Sequence, residues 1–115
     1  MAILKRSVDN AEHYGWGENC DGWILAPSPD LMVIEERMLP GTGERRHVHA
    51  VARQFFYTLS SELTMELDGV DHRITPGSGI EIPPGAGHQA RNDGTGDVRF
   101  LVVSSPSTRG DRLDL

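Results

Sequence analysis

Glycine and proline recur so often along this chain, 13 and 7 times in 115 residues, that no window of ten or more residues keeps a clean 3.6-residue apolar period. Helix is a minor component at most. What remains is a series of short alternating runs, each closed by turn residues. Gly22 to Ala26 reads as extended and stops at Pro27-Ser28-Pro29-Asp30; Leu31 to Leu39 follows and ends at Pro40-Gly41. Arg45 to Val51 and Gln54 to Leu59 come next. Leu63, Met65 and Leu67 then alternate with Thr64 and Glu66 ahead of Asp68-Gly69, a dipeptide suited to a tight hairpin, with Val70 to Ile74 as the return strand. Beyond Pro76-Gly77 lie Ile80 to Ile82, a Pro83-Pro84-Gly85 turn, His88 to Asn92, the loop Asp93 to Gly96 and the apolar run Val98 to Val103. The tail from Ser104 reads as polar. The pattern predicts an all-β, antiparallel sandwich or barrel over residues 1–115, one domain without repeat or linker.

Charge and length narrow the partners. The formal net charge is −6 and no Lys/Arg run exceeds two residues, which argues against a phosphate-tracking surface and so against nucleic acid. No stretch approaches 18 apolar residues, so no membrane span is expected, and Met1 to Ser7 holds no apolar segment of secretory length, which makes the cytoplasm the expected location. The single cysteine, Cys20, sits among acidic neighbours that would raise a thiol pKa; an inert thiol is expected.

On a strand, side chains two apart share a face, so His47 and His49 in Arg-His-Val-His-Ala point the same way and can hold one ion, while Val48 points opposite. Gln54 lies an odd number of residues past His49, so a bend or bulge between them is needed before its amide oxygen can meet that ion.

These residues resemble the cupin superfamily, whose first motif reads G, five residues, H-x-H, three or four residues, E, six residues, G. Gly41, His47, His49 and, four residues on, Gln54 follow it over residues 41–61. The second motif, G, five residues, P-x-G, two residues, H, three residues, N, is met over 77–92 by Gly77, Pro83, Gly85, His88 and Asn92. The resemblance implies an antiparallel double-stranded β-helix, the cupin or jelly-roll barrel, holding one divalent metal ion with His47, His49, Gln54 and His88.

Gln54 stands where the motif has Glu, and Ser61 where it closes on Gly. The second change is expected only to adjust a turn. The first removes a negative charge, so three neutral imidazoles and an amide would leave the ion's double charge unneutralised and make it a stronger Lewis acid. Zinc and nickel suit the set best, with manganese and iron also compatible. The glutamine form is similar to two kinds of small cupin, enzymes that convert unsaturated sugar-acid monomers to linear keto forms and zinc-containing polyketide cyclases. The aspartate that acts before a Ser-Pro in the first kind is absent here, where Val102, Val103 and Ser104 precede Ser105-Pro106. Arg53 to Tyr57, Phe100 to Val103 and Gly110-Asp111-Arg112 also resemble strings in bacterial cupins described as sugar-isomerase-like.

If Leu31 to Leu39 is a regular strand, Met32, Ile34, Glu36 and Met38 face the barrel interior. Glu36 is then a candidate catalytic acid or base with a raised pKa, or the partner of a nearby arginine. Met38, Phe56, Phe100 and Val102 are the expected apolar lining of a pocket. Trp16 and Trp23 are candidates to cover the barrel mouth or pack between subunits, His13 and His72 are given no role, and Arg91 is expected to pair at the surface. A homodimer is expected, by sheet packing or by exchange of the strand around Trp23-Ile24-Leu25. The expected activity is that of a non-redox lyase, isomerase or cyclase acting on an oxygenated small molecule. The alternatives are an iron- or nickel-dependent dioxygenase and a non-catalytic module that binds a sugar or other small ligand.

Overall fold

The computed structural model describes residues 5–115; Met1 to Leu4, part of the opening segment read above for a secretory signal, lie outside the described residues. It is all strand: β1 (Glu12–Trp16), β2 (Cys20–Pro27), β3 (Met32–Met38), β4 (His47–Val48), β5 (Arg53–Ser60), β6 (Leu63–Leu67), β7 (Val70–Ile74), β8 (Gly79–Ile82), β9 (His88–Arg91), β10 (Val98–Ser105) and β11 (Leu113–Asp114). They form two antiparallel sheets, a six-stranded one ordered β1-β2-β3-β10-β5-β8 and a five-stranded one ordered β11-β4-β9-β6-β7. No helix among the described residues is long and apolar enough to cross a membrane.

The alternation that predicted strands also sets their faces. On β5, Gln54, Phe56 and Thr58 are buried while Arg53, Phe55 and Leu59 are exposed; on β10, Val98, Phe100, Val102 and Ser104 turn inward. The inward residues of both sheets meet in one core that includes Met38, Leu63, Met65, Ile82 and Phe100. Each inward set is fixed by period two, so slipping a strand by one residue would expose it.

Several expectations need correction. Arg45 to Val51 is not one strand: only His47–Val48 joins a ladder, and residues 49–52 turn away. Ser104, read as the start of a polar tail, is buried on β10, and the chain beyond it returns to pair β11 with β4. The strand around Trp23 is not an edge, because β1 covers one side of β2 and β3 the other. Strand exchange through it would first have to displace β1. Trp23 lies under the Arg99 guanidinium, 5.0 Å from its ring, whereas Trp16 is part of a cavity wall.

Candidate metal centre

His47 on β4 stands opposite His88 on β9, and His49 follows just past the end of that short strand. All three are buried, and each offers a ring nitrogen within 4.8 Å of the others. The outer edge of each ring is held the same way. Nδ1 of His47 meets the Arg45 carbonyl at 2.7 Å, Nδ1 of His88 meets the Ala86 carbonyl at 3.1 Å, and Nδ1 of His49 meets the Asp111 carbonyl. A carbonyl only accepts, so each Nδ1 carries the proton and each Nε2 presents a lone pair. Burial lowers the pKa of His88 and takes that of His47 down to about 4, which keeps both rings neutral and ligating at neutral pH.

Gln54, on β5, is buried opposite Ser104 and donates from Nε2 to its hydroxyl at 3.2 Å. That leaves Gln54 Oε1 buried without a partner, as His88 Nε2 also is. Buried acceptors without partners are costly. A divalent cation is a chemically matched partner for both, and the donor set of three neutral imidazoles and one amide oxygen suits such an ion. The bend required between His49 and Gln54 is the 49–52 turn. It wraps the carboxylate of Asp111, which accepts from the amides of Ala50, Val51 and Ala52. The Ala52 amide, and behind it those of Val51 and Ala50, hold the Asp111 carboxyl below its ordinary range.

His47, His49 and Gln54 open on a cavity of about 430 Å³. Trp16, Ile34, Phe56 and Val102 give it an apolar wall, while Tyr14, Glu36, Glu44, Arg45 and Arg112 bring polar groups to it. Met38 and Phe100, expected in this lining, are not on it: both are fully buried in the core. Alternation places a side chain inside a barrel but not at a given depth.

Glu36 does face the cavity. It is not paired with an arginine; Tyr14 Oη donates to its Oε2 at 2.7 Å. Burial pushes the Glu36 carboxyl up to about 7, against the Tyr14 hydrogen bond and the nearby Arg112 charge, which both favour the carboxylate. Glu44, raised to about 8 by burial and then by Glu36, accepts from the Ala90 amide at 3.0 Å. Tyr14 and Glu44 escaped the sequence reading, and Asp111 and Arg112 entered it only as part of a shared string, without a role at the site. Arg91 pairs with Asp71 and Asp93 at the surface, and His13 with Asp21.

The family profile described as Cupin domain matches residues 34–104. The chain belongs to the cupin family. Over 76 residues this cupin is 33% identical to Protein SchB of Streptomyces halstedii, a match covering 66% of this chain and 54% of SchB. It is 30% identical over 69 residues to polyketide synthase CurC of Streptomyces cyaneus, covering 60% of this chain and 45% of CurC. The cupin thus spans about half the length of these bacterial relatives. Among solved structures, KdgF from Halomonas sp. superposes with a TM-score of 0.83 at 22% identity, over 92% of this chain and 96% of KdgF. A sugar phosphate isomerase from Silicibacter pomeroyi gives 0.78 at 24% identity, over 90% and 76%. At such identities the solved structures share the fold with this cupin.

Proposed function

We propose that this cupin is a metal-dependent, non-redox enzyme, a lyase, isomerase or cyclase, acting on an oxygen-rich small molecule such as a sugar acid. The observation that carries the reading is that His47 and His49, which cluster with His88, line one cavity together with Gln54 and with Glu36, a carboxyl pushed up to about 7 and so suited to proton transfer at neutral pH. Likeness to proteins described as a sugar phosphate isomerase and a polyketide synthase supports the substrate class.

His47, His49, His88 and Gln54 would hold the ion, zinc or nickel by preference. When bound it supplies Lewis acidity toward a carbonyl, hydroxyl or carboxylate oxygen. The remaining work belongs to the chain. Glu36 takes a proton from substrate carbon or oxygen and returns it, with Tyr14 holding the carboxylate in place. Arg45 and Arg112 give the cavity positive charge that favours anionic substrates. Ile34, Phe56 and Val102 keep water away from one side.

The test is elemental analysis of protein purified without added metal, beside His47→Ala and His88→Ala, followed by assays on unsaturated sugar acids and cyclisable polyketones with and without dioxygen. Near-stoichiometric zinc or nickel in the parent, depleted metal in both variants and oxygen-independent turnover are expected. Equal metal content in all three proteins would end the metal reading. Turnover only in the presence of dioxygen would point to a dioxygenase, and tight binding without conversion to a binding module.

A further inference from the structure

The three histidines differ in where their Nδ1 partners come from. For His47 and His88 the accepting carbonyl lies two residues upstream, at Arg45 and Ala86. For His49 it is that of Asp111, 62 residues further along the chain. The orientation and tautomer of His49 therefore depend on the C-terminal segment staying docked.

What docks that segment is mainly Asp111 itself. Gly110, at φ 74°, turns the chain in a left-handed conformation that glycine adopts without a Cβ penalty. Asp111 Oδ1 then accepts from the Ala50 amide at 2.9 Å, Oδ2 from the Ala52 amide at 2.8 Å, and both lie within 3.3 Å of the Val51 amide. Three successive amides around one carboxylate form an anion-binding concavity. The rest of the attachment is lighter: Ser107 donates its amide to the Pro29 carbonyl at 2.9 Å and its hydroxyl to the Met32 sulfur at 3.4 Å, β11 is two residues long, Leu115 adds one backbone bond to Arg46, and Leu113 and Leu115 are 64% and 62% exposed.

We propose that Asp111 is a positioning residue for the metal centre: its side chain clamps the C-terminal strap, residues 107–115, to the turn after His49, while its carbonyl fixes the His49 ring for ligation. The inference rests on the metal reading above. Because linkage is reciprocal, the coupling runs both ways. A docked strap tightens metal binding, and bound metal tightens the strap.

The experiment uses cobalt(II) as a spectroscopic metal probe, with affinity set by chelator competition, on the full chain and on Asp111→Ala, Asp111→Asn, His49→Ala and the Asp111→Ala/His49→Ala double variant. Arg109→Ala, an exposed strap residue whose side chain lines no part of the cavity, is the control. Both Asp111 variants should lose about tenfold or more in affinity, the range found for groups that orient metal-binding histidines, with a changed visible band. The double variant should be no weaker than His49→Ala, because without that imidazole the clamp has nothing to position. A purely structural role would weaken both backgrounds equally and overturn the proposal. Metal should also slow carboxypeptidase release of the last residues of the parent. If Asp111→Ala does not fold, Asp111→Asn and this protection decide, and absence of protection overturns the coupling. A parent that binds no cobalt overturns the metal reading itself; a parent that binds it while the Asp111 variants bind as tightly overturns the positioning role alone.

Discussion

Tyr14 reaches Glu36 by passing over Gly22. The three residues lie in one row across neighbouring strands, Tyr14 opposite Gly22 and Gly22 opposite Glu36. A Cβ at residue 22 would sit 2.1 Å from Tyr14 Cζ, so only glycine leaves the phenol its path to the carboxylate two strands away. The phenol stays a donor, because burial and then the Glu36 charge push its pKa well above the ordinary tyrosine range. One glycine on β2 thereby admits a hydrogen bond that holds the Glu36 pKa on β3 below the level burial alone would give.

The hydrogen bond favours the charged form of Glu36, so its loss should raise the carboxyl pKa beyond about 7. Tyr14→Phe removes the donor, and Gly22→Ala displaces it while leaving the phenol in the chain. Both should move the limb of the pH–rate profile that needs the carboxylate to higher pH. Glu36→Gln should lower turnover by roughly 10² to 10⁴ while metal content stays unchanged. Profiles that superpose on the parent would exclude Glu36 from the proton transfer.

Stability of the metal-free protein should fall as pH rises above neutrality. Glu36 and Glu44, raised to about 7 and about 8, keep protons in the folded chain that the unfolded chain has already released. The stability they contribute is complete below their ordinary 4.5 and is lost as pH climbs through the folded values. His47 and His88 act oppositely, since lowered pKa values add stability as pH rises, but that gain levels off above the ordinary 6.5. Past that point the carboxyls act alone. A lower Tm at pH 8 than at pH 6.5 is expected, with a smaller drop in Glu36→Gln. Calorimetry on chelator-treated protein checks it, and a flat or rising Tm would show that these carboxyls are not buried as charges.

Much of this architecture could be read from period and spacing, and each part that could not has its own physical reason. The resemblance to the two cupin motifs singled out His47, His49, Gln54 and His88; the structure brings the three histidines together, and His47, His49 and Gln54 line one cavity. Glu12–Trp16 escaped as a strand because it is an edge, half-exposed or exposed on both faces, and so carries no apolar alternation. Tyr14 went with it. Asp111 was unreadable for a different reason: its partners are backbone amides some 60 residues away, and backbone groups leave no trace in side-chain pattern. Met38 and Phe100 have the phase of a pocket wall but the depth of a core, a distinction that sequence period does not encode.

Ser61, where the cupin motif closes on glycine, has φ 62° in the turn between β5 and β6. A left-handed conformation costs a non-glycine residue about 1–2 kcal/mol, partly offset by the extra freedom glycine brings to the unfolded chain. Ser61→Gly should therefore stabilise the fold by about 0.5–1 kcal/mol. Urea denaturation with an unchanged m-value measures it. A destabilised variant would mean that the serine hydroxyl makes up for its backbone.

Gln54→Glu separates metal affinity from Lewis acidity. Without metal, the new carboxyl would be buried beside Ser104 with no cation to balance it, so it should take up a proton and destabilise the apo-protein relative to the parent. With metal, an anionic oxygen replaces a neutral one next to a double positive charge. Affinity should rise by about tenfold or more, equivalent to ~1.4 kcal/mol. The same negative charge neutralises part of the field that polarises substrate and attracts anions, so turnover of an acidic substrate should fall although the metal is held more tightly. Chelator competition and steady-state kinetics on one preparation read both quantities. If affinity and turnover rose together, the neutral amide would have no part in making the bound ion more acidic, and the reason offered for glutamine at this position would be wrong.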